Sequence, residues 1–257
     1  MIKLSLDGSE LMVPIRLSRE HLILKHHIVS GLRVLPGVAH LKIALEYACL
    51  FAPFCGLNCI EDVSWINPII CLDDYIDLAL YLTSDFDYIK FSFRNYNGKL
   101  YSSGKISRKL HTFSKLTPQY EDFMCDSSID NNLVYDEFAN LGILYGEFFK
   151  CLINTKIKAN LGMADIYSKS GQLNFINLLD CSFQSGMAIS LHDNFRNLMP
   201  ISLGKLIIKD NTKISCREHY FALTEKINHF RTSIQIADNH NDVIMYIKDL
   251  GIKPGKF

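Results

Sequence analysis

At 257 residues, 48% of them hydrophobic and 21% charged, the chain can bury the core of one large domain or two small ones and is too apolar to be disordered. Lysine plus arginine and aspartate plus glutamate number 27 each, which leaves no global field to gather nucleic acid or an anionic membrane surface. No apolar run approaches the roughly 18 residues of a membrane span, and the stretch from Met1 to Gly8 lacks the apolar core of a secretion signal. A cytoplasmic location with no nucleic acid and no membrane partner is therefore expected.

The eight cysteines, at 49, 55, 59, 71, 125, 151, 181 and 216, form no CxxC. Cys55 and Cys59 have no matching second pair, so reduced, packed thiols are expected and no metal site.

Residues 2–25 read as extended chain: Ile2 to Leu6 alternates, Asp7-Gly8 turns, and Leu11 to Leu17 alternates again. Pro36-Gly37 opens a helix to about Phe51, with Val38, Leu41, Ala44, Leu45 and Ala48 on one face. Pro53 and Gly56 end it. Cys59 to Ile70, Tyr75 to Thr83 and Tyr88 to Tyr96 read as strands, and Asn97-Gly98 turns the last into Lys99 to Lys109.

Residues 111–130 carry no apolar period and read as a linker. A short helix from about Leu133 to Leu141 runs through Gly142 into a strand, and Phe149 to Ile166 reads as strands. Asn177 to Ile189 reads as a second helix, with Asp180 near its start. Leu198 to Ile208, Ile214 to Leu223, Arg231 to Ala237 and Val243 to Leu250 complete a second meander. The order helix-then-meander thus occurs twice without obvious identity between the copies, which predicts two α+β layers: residues 1–110, a linker at 111–131, and residues 132–257.

Two residues stand out chemically. His27 precedes a turn that hands over to a helix N-terminus, setting a proton acceptor near a site that favours negative charge. Asp180 sits at the corresponding helix of the second half. Alone, each has an ordinary alternative: a structural histidine at a strand end, or an aspartate capping a helix.

Their surroundings resemble a known family. His27-xxx-Gly31-xxxx-Pro36-Gly37-Val38-Ala39 resembles the HxxxGxxxxP signature of dehydratase domains of modular polyketide synthases. Gly142-Ile143-Leu144-Tyr145-Gly146-Glu147-Phe148 resembles their GxxYGPxF motif, with Glu147 where the family has proline. Leu179-Asp180 followed by Gln184 resembles LDxxxQ, and Leu198 to Gly204 resembles their LPxxLG-like strand.

The resemblance implies a double hot-dog fold, two antiparallel sheets each wrapped around a helix, sharing one active site. It implies removal of water from a β-hydroxyacyl thioester carried on the phosphopantetheine of an acyl carrier protein, with no cofactor of the protein's own. It assigns His27 as base and Asp180 as acid, with Gln184 orienting the carboxyl. Tyr145 would reach the hydroxyl or Asp180. The Gly37 N–H would support the thioester carbonyl, Pro36 would fix the chain before it, and Gly31 would permit close approach. Expected partners are the carrier, other polyketide synthase domains and a second copy of the chain through its N-terminal strands. Lys150, Lys156 and Lys158 are the nearest basic residues for a carrier, with solvated lysines as the plain alternative. Same-fold alternatives are a double-bond isomerase, a cyclase of the pyran-forming or product-template kind, or a non-catalytic carrier-binding module. The joint presence of His27, Pro36, Asp180 and Gln184 favours dehydration.

Overall fold

The computed structural model describes residues 2–5, 8–53, 55–171, 173–192, 198–209, 214 and 218–254. The first half runs β1 (Lys3–Leu4), β2 (Glu10–Ser18), α1 (Leu22–Lys25), β3 (His27–Val29), β4 (Leu32–Val34), α2 (Gly37–Phe51), β5 (Cys59–Trp65), β6 (Ile70–Cys71), β7 (Tyr75–Ser84), β8 (Tyr88–Arg94) and β9 (Leu100–Ser107). The second runs β10 (Ser127–Asp130), α3 (Asn131–Asn140), β11 (Ile143–Tyr145), β12 (Leu152–Lys158), β13 (Leu161–Ile166), α4 (Phe175–His192), β14 (Leu198–Ile208), β15 (Tyr220–Asn228), β16 (Arg231–Ala237) and β17 (Val243–Pro254).

The duplication is visible in strand order. One layer is β2-β7-β8-β9-β5 around α2, and the other is β13-β15-β16-β17-β14 around α4. In both, the strand before the helix lies farthest from the strand after it, and a three-stranded meander fills the gap. The layers join edge to edge where β5 pairs antiparallel with β14, giving one 13-stranded sheet. α2 and α4 pack against each other inside it. This is the double hot-dog fold.

α4 is buried all round from Leu178 to Ile189, as a helix enclosed by a sheet must be. Its internal hydroxyls are satisfied locally: Ser182 donates to the Leu178 carbonyl at 2.8 Å, and Ser185 to the Ser182 carbonyl at 2.8 Å. The helix begins at Phe175, two residues before the expected start. Asn174 Oδ1 accepts from the Ile176 N–H at 2.9 Å while Asn177 Oδ1 accepts from the Asn174 N–H at 2.6 Å, a reciprocal cap. Asp180 is consequently not a cap but lies in the second turn.

One further expectation changes. Leu22–Lys25 is one helical turn within the stretch read as extended, capped by His21, because four residues are too short for periodicity to separate helix from strand. The stretch read as a linker, residues 111–131, packs along part of its length. Leu116 and Phe123 bury against Phe221, Leu223 and Val243, and β10 adds a strand beside β12. The beginning of the strand expected from Ile214 falls largely outside the described residues, as does Cys216, and the described strand starts at Tyr220.

Candidate active site

A second, four-stranded sheet, β11-β3-β4-β6, builds the site. β3 and β4 form a hairpin in which Val29 pairs with Leu32. Its two turn residues, Ser30 (φ 50°) and Gly31 (φ 80°), both have left-handed backbone, the geometry a tight hairpin requires. A Cβ on Gly31 would meet nothing within 4 Å. Gly31 therefore serves the turn, and no backbone among the described residues approaches it closely.

The hairpin explains the motif spacing. Folding back at Ser30-Gly31 brings the Val34 carbonyl to His27, whose Nδ1 donates to it at 2.8 Å. A carbonyl can only accept, so Nδ1 carries the proton and Nε2 keeps its lone pair. Pro36 then takes the N-cap position of α2 with φ −60° and ψ 142°. Gly37 opens the helix with an N–H that has no acceptor within the helix. Trp65 explains its lack of a side chain: the indole donates to the Gly37 carbonyl at 3.2 Å, and a Cβ there would lie 2.8 Å from the ring.

The tandem histidines divide. His26 caps α1 and faces away from the cavity. Its Nδ1 accepts from the Phe148 N–H at 3.1 Å, and its carbonyl accepts from the Gly146 N–H at 2.9 Å. It thus pins the turn after β11, and that turn leaves Glu147 exposed. β11 itself pairs with β3 so that Tyr145 lies opposite His27, with ring centroids 5.6 Å apart.

His27, Tyr145 and Gly37 line one cavity of about 500 Å³ together with Asp180. The first half of the duplication thus supplies His27 and the second Asp180 and Tyr145. Gln184 lies behind the cavity wall, fully buried, and Pro36 and Gly31 do not line it. Gln184 Nε2 donates to Asp180 Oδ2 at 2.8 Å and to the Phe149 carbonyl at 3.2 Å. Its Oε1 accepts from the Tyr135 hydroxyl at 3.1 Å. The Phe149 carbonyl, which can only accept, fixes which way the amide points, so Oδ2 of Asp180 is an acceptor and any carboxyl proton sits on Oδ1.

Tyr135, on α3, has no counterpart in the sequence reading. It acts from 49 residues away with no local spacing to betray it. Of the lysines considered for a carrier, Lys156 is engaged by the Tyr120 carbonyl at 2.7 Å and Lys150 lies over the Tyr135 ring.

Burial drives both ionisable groups toward neutrality. The His27 pKa falls to about 4, with the Val34 carbonyl opposing the shift, and that of Asp180 rises to about 7, with Gln184 opposing it. Near neutral pH the cavity therefore holds a free imidazole and a carboxyl that keeps its proton in part of the molecules. Tyr145 is driven well above the ordinary phenol value, first by burial and then by the Asp180 charge, and stays a hydrogen-bond donor. Among the described residues no group of three or more His, Cys, Asp or Glu is placed to hold a metal ion, and no helix is long and apolar enough to cross a membrane.

Residues 3–95 match the family described as polyketide synthase dehydratase domain. The chain is 30% identical over 134 residues to the polyketide synthase ThaG of Burkholderia thailandensis, an alignment covering 48% of this chain and 2% of that protein. Its fold is similar to the dehydratase domain from the CurF module of curacin polyketide synthase, with TM-score 0.86, 19% identity, and 99% of this chain and 97% of that chain covered. A trans-AT polyketide synthase dehydratase domain from Brevibacillus brevis gives TM-score 0.86 at 17% identity over 99% and 96% of the two chains. The dehydratase domain of RzxB from Pseudomonas fluorescens gives 0.80 at 20% identity over 98% and 97%.

Proposed function

From a chain with the N-terminal sequence signature and the whole-length fold of polyketide synthase dehydratase domains, we propose that the protein removes water from a β-hydroxyacyl thioester borne on the phosphopantetheine of an acyl carrier protein. The product is the α,β-unsaturated thioester. The observation that carries the reading is a buried imidazole from one half and a carboxyl with a raised pKa from the other on the wall of one cavity.

The steps follow from the groups. Nε2 of His27 takes the α-proton, and the developing charge moves onto the thioester oxygen. The Gly37 N–H at the start of α2 stabilises that oxygen together with the helix dipole. The C–O bond at the β-carbon breaks as Oδ1 of Asp180 passes its proton to the departing hydroxyl, which leaves as water. His27 then carries a proton and Asp180 a charge, and net transfer of that proton from His27 to Asp180 restores both. Gln184 holds Oδ2 and so presents Oδ1. Tyr145, beside His27, is a donor to the β-hydroxyl. The reaction uses no cofactor of the protein's own. The remaining polyketide synthase domains are the expected neighbours, a role that rests on family kinship.

The test is mass spectrometry of a carrier-bound 3-hydroxyacyl thioester incubated with the protein. Loss of one water is the expected result. A shifted double bond without change of mass, or an unchanged substrate, would contradict it.

A further inference from the structure

The cavity opens to solvent where Leu32, Ile66 and Ile201 line it, at 37%, 52% and 40% exposed, whereas His27 and Asp180 are buried. Asn67 stands at this open end, between β5 and β6, a half-buried lining residue flanked by Ile66 and Pro68. Two hydrogen bonds clamp it to β9. Its backbone N–H donates to the Tyr101 carbonyl at 3.2 Å, and its side-chain Nδ2 donates to the Leu100 carbonyl at 2.8 Å. A carbonyl can only accept, so the side-chain amide has one orientation and Oδ1 is the atom left over. No described residue donates to Oδ1, and Oδ1 is not one of the buried side-chain atoms without a partner. It is therefore an oriented acceptor that a ligand can reach.

Its neighbours at the open end, Ile66, Pro68, Met199, Pro200 and Ile201, are apolar. The other polar side chains of the wall are occupied or out of reach. His27, Tyr145 and Asp180 belong to the reacting end, Trp65 donates to Gly37, and His40 Nε2 is buried away from any ligand. A fixed, uncharged acceptor in an apolar passage selects a neutral N–H or O–H donor. An amide N–H that enters such a passage loses its bond to water, which is costly unless the wall replaces it. With the reacting carbons between His27 and Asp180, the open end holds whatever the acyl group hangs from. In the dehydration reading that is the pantetheine chain, which carries two secondary amides.

We propose that Asn67 is a positioning residue whose Oδ1 accepts an amide N–H of the pantetheine arm and so sets how far the thioester advances toward His27 and Asp180. This rests on the dehydration reading and names a contact that holds its substrate.

Calorimetric binding of S-butyl pantetheine tests it, beside two counterparts in which an ester oxygen replaces one or the other amide N–H. The protein is expected to bind the parent ligand about tenfold more tightly than one of the two esters. N67L should bind that ester and the parent ligand alike, and N67A serves as a second variant should leucine disturb the fold. An Asn67 that only anchors the loop to β9 would, when replaced, weaken all three ligands together and leave the preference in place. Equal affinities for the three ligands, no binding of S-butyl pantetheine, or a preference that survives in both variants would overturn the proposal. Turnover of a carrier-bound 3-hydroxyacyl thioester, measured in parallel, separates the two readings. An amide preference that N67L abolishes, in a protein that releases no water, leaves Asn67 its role and removes dehydration. Water loss without an amide preference does the reverse.

Discussion

Between about pH 4 and about pH 7, His27 is neutral while Asp180 still holds its proton. The rate of dehydration, as kcat/KM, should be level across this window. It should fall about tenfold per pH unit above about 7 as Asp180 ionises, and likewise below about 4 as His27 is protonated. A rate that rises through pH 7 to 9 would contradict the acid role. The same shifts act on stability. The His27 pKa drops from 6.5 unfolded to about 4 folded, so stability declines as pH falls through that interval. That of Asp180 rises from 3.8 to about 7, so stability declines as pH climbs through the interval. Asp180→Asn cannot ionise and should unfold at a higher Tm than the parent at pH 8, while losing activity. Gln184 was legible beside Asp180 because four residues make one helical turn. Tyr135 was not, since only the folded chain brings it there. Tyr135→Phe strips partners from Gln184 Oε1 and the Leu152 N–H and should cost about 1–3 kcal/mol in a urea titration.

The elements explain why some signals were readable and others misread. The spacing from His27 to Pro36 is the length of a two-residue hairpin plus the step to a helix cap, but Ser30-Gly31 lacks the Asn-Gly signature that marked the turn at Asn97-Gly98. The turn task of Gly31 was thus not legible from its position alone. Gly31→Ala meets no atom and should cost only the left-handed backbone strain, roughly 1–2 kcal/mol by thermal melting. A glycine kept for close approach of substrate would lose activity in addition to that stability. At α4 the reciprocal cap of Asn174 and Asn177 sets the start at Phe175, ahead of the expected Asn177.

At the scale of the whole molecule, the repeated helix-and-meander order made the fold class legible, because local patterns dictate it. The seam was not legible: no local pattern says that β5 and β14 meet, with Val63 opposite Leu203, both buried. That seam lets the two halves share one cavity, so its loss should separate His27 from Asp180. Leu203→Ala should cost about 2–5 kcal/mol by equilibrium unfolding. The central claim is that these two side chains perform one dehydration together. Its most direct test is water loss from a carrier-bound 3-hydroxyacyl thioester, followed by mass spectrometry with the parent, His27→Ala and Asp180→Asn, each verified as folded by circular dichroism. The parent should convert the substrate and both variants should leave it intact. Full conversion by either folded variant would contradict the account.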